Sequence, residues 1–145
     1  MPRNEIIVGL DDSPSGEAAL RWAARQALLA GMVMRAIHVR DWPYGAGSDY
    51  GAEISEQSRD EIEGTYRDSI TKVFNKISPL PDWRVEFVRG NAGHALVRES
   101  KDAELLVVGT REHVGLGKLL VGSISHYCLS HATCPVVAVP AKTET

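Results

Sequence analysis

Two cysteines, Cys128 and Cys134, both late in a chain of 145 residues, are too few for the disulfide framework of a small secreted domain. No apolar run approaches the roughly 20 residues of a membrane-spanning helix, so no membrane partner is expected. The opening MPRNEIIVGL runs directly into a strand-like segment, with no signal-peptide core and no cleavage site. A formal net charge of only −3 leaves no broad basic footprint, which argues against nucleic acid and anionic membrane as partners. What is present is ordinary for a folded protein: 43% apolar and 24% charged residues, enough for one buried core and too apolar for a disordered chain. The expectation is a single cytoplasmic domain over residues 1–141 with a disordered tail at residues 142–145, and no internal repeat.

The apolar pattern changes period repeatedly along the chain. Ile6, Ile7 and Val8 form a short continuous run suited to a strand buried on both faces. Ser13 and Pro14 then read as an N-cap and a first-turn proline. Ala19, Trp22, Ala23, Gln26, Ala27 and Ala30 follow at three-and-four spacing, and Gly31 stops the helix. A second strand is expected at about residues 32–39, and a second helix at about residues 54–77. Its apolar face is Ile54, Ile62, Thr65, Ile70, Val73 and Phe74, and Pro79 and Pro81 end it. The charged run at residues 59–63 reads as a solvated face, while Trp22 and Phe74 read as core.

Alternation at Trp83, Val85 and Phe87 predicts a third strand near a sheet edge. Asn91 caps a short helix to about residue 100, and Leu105, Leu106, Val107 and Val108 form the fourth strand. A fourth helix at about residues 123–132 precedes a fifth strand, Val136 to Val139. Strict β–α alternation means a parallel sheet with helices on both faces, hence a doubly wound, three-layer α/β fold. Ligands in such sheets bind beyond the carboxyl ends of the strands. Three segments leave those ends: residues 10–13, 39–42 and 109–123.

The last of these carries the strongest signal. Residues 105–125 read LLVVGTREHVGLGKLLVGSIS: a buried strand, a glycine-bearing loop, then a new helix start at Gly122-Ser123. Unpaired N–H groups at a helix start attract phosphate. Other candidates carry less. Asp11 and Asp12 beside a helix N-terminus read as dipole partners rather than a metal pair. His126 and His131 would point about 140° apart on a helix, so with Cys128 and Cys134 they make no convergent zinc tetrahedron. His38 reads as a satisfied core or rim residue, and His113 as a loop residue facing ligand or solvent. Trp42-Pro43-Tyr44 serves equally as a stacking lid or as a partner patch.

Gly9-Leu-Asp-Asp-Ser-Pro-Ser, residues 109–125 and the ending Cys134-Pro-Val-Val-Ala-Val-Pro resemble the universal stress protein family over essentially the whole chain. The resemblance implies an adenine-nucleotide alpha-hydrolase-like domain with strand order 3-2-1-4-5, and a homodimer paired through the last strand, Val136–Val139. Members that bind ATP carry G-x-x-G, nine residues, then G-S or G-T. On this sequence the pattern falls on Gly109, Glu112 and Gly122-Ser123, with the nine-residue interval kept. The resemblance further implies that Asp11 lies near the ribose, that Leu10, Val39, Val108 and Gly109 flank the adenine, and that Ser123, Ile124 and Ser125 meet the phosphates.

Two residues depart from that pattern. Asp12 stands where many members have glycine, and Glu112 replaces a motif glycine. A carboxylate about 4 Å from a phosphate repels it by roughly 1–4 kcal/mol. A magnesium ion held between the two would reverse that sign; alternatively, Arg111 beside it would neutralise the charge, and the sequence does not choose between them. The expected function is therefore a stress-response protein holding an adenine nucleotide as a regulatory ligand. ATP leads, with or without magnesium, and AMP or a cyclic nucleotide is the alternative. A nucleotide-free protein acting through dimerisation and partner contact is the second reading. A slow ATPase or nucleotidyl-transfer enzyme ranks last, because the loops show no nucleophile–base pair and no Walker lysine.

Overall fold

The computed structural model describes residues 3–40, 56–110 and 122–141. Strands β1 (Arg3–Gly9), β2 (Val33–Arg40), β3 (Arg84–Arg89), β4 (Ala103–Gly109) and β5 (Val136–Val139) alternate with helices α1 (Pro14–Ala30), α2 (Glu56–Asn75), α3 (Ala92–Glu99) and α4 (Ser123–His131). All strand pairs are parallel and the order is β3-β2-β1-β4-β5. The doubly wound α/β sheet and its strand order are as expected, with β3 on an edge.

Period-2 geometry splits each central strand between two cores. Ile6 and Val8 of β1 face one way and join Leu20 of α1, Met34, Phe74 of α2 and Trp83. Ile7 faces the other way and joins Ile37, Leu96 of α3, Leu106, Val108 and Cys128 of α4. The sheet is thus covered on both faces, which is why β1 and β4 read as unbroken apolar runs.

Helix α1 begins and ends as its residues dictate. The Ser13 hydroxyl accepts from the Gly16 N–H, Pro14 opens the first turn, and Gly31 closes the helix at φ 66°. Helix α2 departs from expectation at its C-terminal end. It stops at Asn75, four residues before Pro79, and the chain turns through Ser78 at φ 50°. The proline disfavours helical backbone in the residue before it, so the turn is made upstream of the ring. Nor is the apolar face buried throughout. Ile70 and Phe74 are core, whereas Thr65 is exposed and Ile62 is 38% exposed. Twenty helical residues span about 30 Å, and the six-residue strand β3 only about 20 Å, so the first turns overhang the sheet.

At the opposite end of the sheet from the carboxyl-terminal loops, Arg35 of β2 is buried among three carboxylates. It donates to Glu5 and to Glu86 at 3.1 Å each, and to Glu99 at 2.6 Å. Burial alone pulls its pKa down. Glu86, Glu5 and Glu99 more than reverse that, so it lies above the ordinary arginine value. Nearer the surface, Lys76 donates to Glu17 at 2.9 Å, tying the end of α2 to α1 and holding the Glu17 carboxyl below its usual range.

Candidate functional site

Beyond the carboxyl ends of β1, β2 and β4 the chain leaves a cleft of about 570 Å³, open to solvent. It lies where the winding reverses, with β2 on one side of β1 and β4 on the other, the place where ligands of such sheets bind. The three segments marked in the sequence meet there. Leu10 and Asp11 come from the end of β1, Val39 from β2, and Val108 and Gly109 from β4. Gly122, Ile124 and Ser125 arrive with α4. Ser123 sits in the first turn of that helix but is exposed and does not line the cleft. Arg111 and Glu112 lie outside the described residues, as do His113 and the segment Trp42-Pro43-Tyr44.

Asp11 is held by the helix that follows it. Its Oδ1 accepts from the Ser13 N–H at 2.9 Å and from the Ser13 hydroxyl, while Ser13 caps α1. A Cβ on Gly16 would overlap that same carboxylate oxygen, so glycine in the first turn is what lets the acid sit there. Gly109 has a similar reason. A Cβ on it would lie 2.6 Å from the Ser15 carbonyl carbon and 2.7 Å from the Ser15 Oγ, so its lack of a side chain is what lets β4 end against α1. That close approach is structural in its own right, and it also leaves the cleft floor free of side chains.

Helix α4 opens without a side-chain cap. Gly122, at φ −64° and ψ 162°, has no side chain with which to satisfy the first-turn N–H groups. Its carbonyl accepts from the His126 N–H at 2.9 Å and from the Ser125 hydroxyl at 3.0 Å. The positive end of the helix dipole therefore lies at the cleft without a side-chain cap from Gly122. Thr110 ties the end of β4 to β5 and to the start of α4: its N–H donates to the Val139 carbonyl at 3.0 Å and its carbonyl accepts from the Gly122 N–H at 2.8 Å. The Thr110 hydroxyl is buried and unpartnered among the described residues.

Sequence reasoning underrated His38. It is the satisfied rim residue expected, its Nδ1 donating to the Leu10 carbonyl at 2.8 Å, yet it also lines the cleft. Ala92 and Leu96 of α3 add apolar wall that no local motif marked. The signal was available only as the amphipathic face of α3, which Asn91 caps from its side chain at 3.1 Å.

The late histidines and cysteines behave differently. Among the described residues no group of three His, Cys, Asp or Glu side chains is placed to hold a metal ion. Cys128 is fully buried on the inner face of α4, and burial, with Cys134 nearby, pushes its thiol up to about 11. His131 turns its Nδ1 to the Tyr127 carbonyl at 3.0 Å and stacks on the Tyr127 ring.

Comparisons with known proteins bear on the same architecture. The model of the universal stress protein family matches residues 2–140. A universal stress protein of Mycobacterium tuberculosis is 35% identical over 150 residues, covering 92% of this chain and 46% of that one. The chain thus spans about half the length of its mycobacterial relatives. Universal stress protein A homolog 1 of Coxiella burnetii is 30% identical and covers 98% of this chain and 99% of its own. Among solved structures, a universal stress protein in complex with cAMP superposes with a TM-score of 0.65 at 19% identity, covering 98% of this chain and all of that one. The Archaeoglobus fulgidus universal stress protein in complex with dAMP gives 0.63 at 21% identity, covering 96% and 99%. At those identities the structures speak to the fold alone. The family match over nearly every residue, on a 3-2-1-4-5 parallel sheet with its cleft at the switch point, establishes that this chain belongs to the universal stress protein family.

Proposed function

We propose that the cleft holds an adenine nucleotide, ATP foremost, as a regulatory ligand in a stress response, with turnover slow or absent. One observation carries the reading: residues far apart in sequence, Leu10-Asp11, Val39 and Gly109 with Gly122, Ile124 and Ser125, line a single cleft at a helix start that has no side-chain cap. The parts fit the ligand's chemistry. Leu10, Val39 and Val108 offer apolar surface for a base, the Asp11 carboxylate suits ribose hydroxyls, and the first-turn N–H groups of α4 suit phosphate. Fold relatives with cAMP and dAMP bound support an adenine ligand. AMP and cyclic nucleotides remain alternatives, and magnesium is a companion where Glu112 would otherwise oppose the phosphates.

Isothermal titration of nucleotide-stripped protein with ATP, ATP plus magnesium, AMP and cAMP tests this. Saturable heat with at least one of them is expected. Silence with all four overturns the reading.

The second reading is a nucleotide-free protein that works in the cytoplasm through dimerisation and partner contact. It draws on Glu112 and on β5, whose outer edge pairs with no other strand among the described residues and whose four residues are each partly exposed. Glu112→Gly separates the two. Gain of ATP binding only in the variant favours the second reading. Binding in both proteins, tighter by roughly one to three decades in the variant, favours the first.

A further inference from the structure

Arg35 directs each of its guanidinium nitrogens to a different element. Nη1 donates to Glu5 of β1, Nε to Glu86 of β3, and Nη2 to Glu99, the last residue of α3. The first two bonds run to the strands on either side of β2 and fix the plane of the rigid group. The third leaves the sheet for the helix packed on it. Among the described residues it is the one ion pair that α3 makes.

Glu99 stands where an acid is otherwise unfavourable, in the last turn of a helix at the negative end of its dipole. Alanine there would be the better helix former. The carboxylate is therefore accounted for by the cation it meets and not by α3 itself.

The same helix carries one wall of the cleft. Strand alternation puts Arg35, Ile37 and Val39 on one face of β2, and α3 packs on that face through Leu96. Ile37 and Val39 line the cleft from the sheet, while Ala92 and Leu96 line it from α3. Ala92 opens the helix and Glu99 closes it, about 10 Å apart along the axis. On its flank α3 already touches α4: a Cβ on Gly93 would lie 2.8 Å from the Tyr127 ring.

We infer that Arg35 is a positioning residue for the cleft: through Glu99 it sets where α3 lies on the sheet, and so how closely Ala92 and Leu96 approach a ligand seated against Val39. The inference rests on the nucleotide reading for its ligand. Neither Arg35 nor Glu99 lines the cleft, so both act at a distance.

Glu99→Ala and Glu99→Gln separate position from charge. Each removes one negative charge, which by itself favours an anionic nucleotide. Only glutamine keeps an oxygen that accepts from Arg35 Nη2. Both variants leave Arg35 paired with Glu5 and Glu86, so both are expected to fold. Calorimetry with ATP and with cAMP is expected to show affinity lower by about fivefold or more in Glu99→Ala, and within about twofold of the parent in Glu99→Gln. Hydrogen exchange of the amides of residues 92–100, read by mass spectrometry without nucleotide, is expected to be faster in Glu99→Ala than in the parent or Glu99→Gln. Equal affinities in the two variants, or unchanged exchange in Glu99→Ala, overturn the inference. Silence of the parent with both nucleotides overturns the nucleotide reading instead, and the exchange comparison then decides by itself whether Arg35 holds α3.

Discussion

The imidazole of His38 donates from Nδ1 to the carbonyl oxygen of Leu10, 2.8 Å away, across the end of the β1–β2 pair. The bond places a proton on Nδ1, so in the neutral ring Nε2 is the acceptor. It also fixes the ring edge-on to Phe87 with centroids 6.1 Å apart. A side chain inside a strand pattern thus forms the wall of the cleft on one side and of a smaller pocket lined by Phe87 and Arg67 on the other.

His38→Ala removes that donor from a partly buried carbonyl and opens the wall. The expected loss is about 1–2 kcal/mol in urea unfolding. Nucleotide affinity, measured by calorimetry, falls with it, since Leu10 lies in the cleft. A variant as stable as the parent would show that the bond contributes nothing net.

Gly109→Ala places a methyl group 2.6–2.7 Å from Ser15 atoms, most of them backbone. Either the end of β4 or the start of α1 must move, at about 1–3 kcal/mol for overpacking. Because Asp11 is tied to the same helix start through Ser13, ligand binding is expected to fall further than stability does. Chemical denaturation and titration on the same preparation read out both.

Arg35→Met leaves Glu5, Glu86 and Glu99 without their cation, and Arg35 and Glu5 have side chains only 8% and 11% exposed. Removing one partner from a buried ionic cluster costs about 3–5 kcal/mol. Urea unfolding of parent and variant at pH 7 reads out the loss; equal unfolding free energies would show that the cluster contributes nothing net.

Cys128, fully buried with its thiol pushed up to about 11, is expected to resist alkylation in the folded protein, while the less buried Cys134 reacts first. Iodoacetamide labelling followed by peptide mass spectrometry checks the order. The folded thiol keeps its proton where the unfolded one loses it. Stability from this residue is therefore complete below about pH 9, and on the order of 2–3 kcal/mol is lost as pH rises to about 11. Cys128→Val should flatten that alkaline decline relative to the parent.

The elements were legible in the sequence because each rests on nearby residues. Apolar period decides strand or helix, and Ser13, Asn91 and Gly31 act within a few residues of where they stand. Even there, α2 ends at Asn75 rather than near residue 77, because the turn through Ser78 is made upstream of Pro79. The buried ionic cluster was not legible. Arg35 meets Glu86 and Glu99 across separations of 51 and 64 residues, and nothing local to any of them marks the pairing.

For this protein the residues alone determined the alternation of strands and helices, and with it a parallel sheet covered on both faces, since burial period is a property of neighbours in sequence. The central place of β1 came from family resemblance, because alternation says nothing of which strand lies between which. Only the tertiary structure decided that Leu10, His38 and Gly109 share one cleft, and that Arg40 and Arg89 stand side by side next to it. Those relationships are set by strand register and by helix packing across the sheet, and both act between segments that the chain order keeps apart.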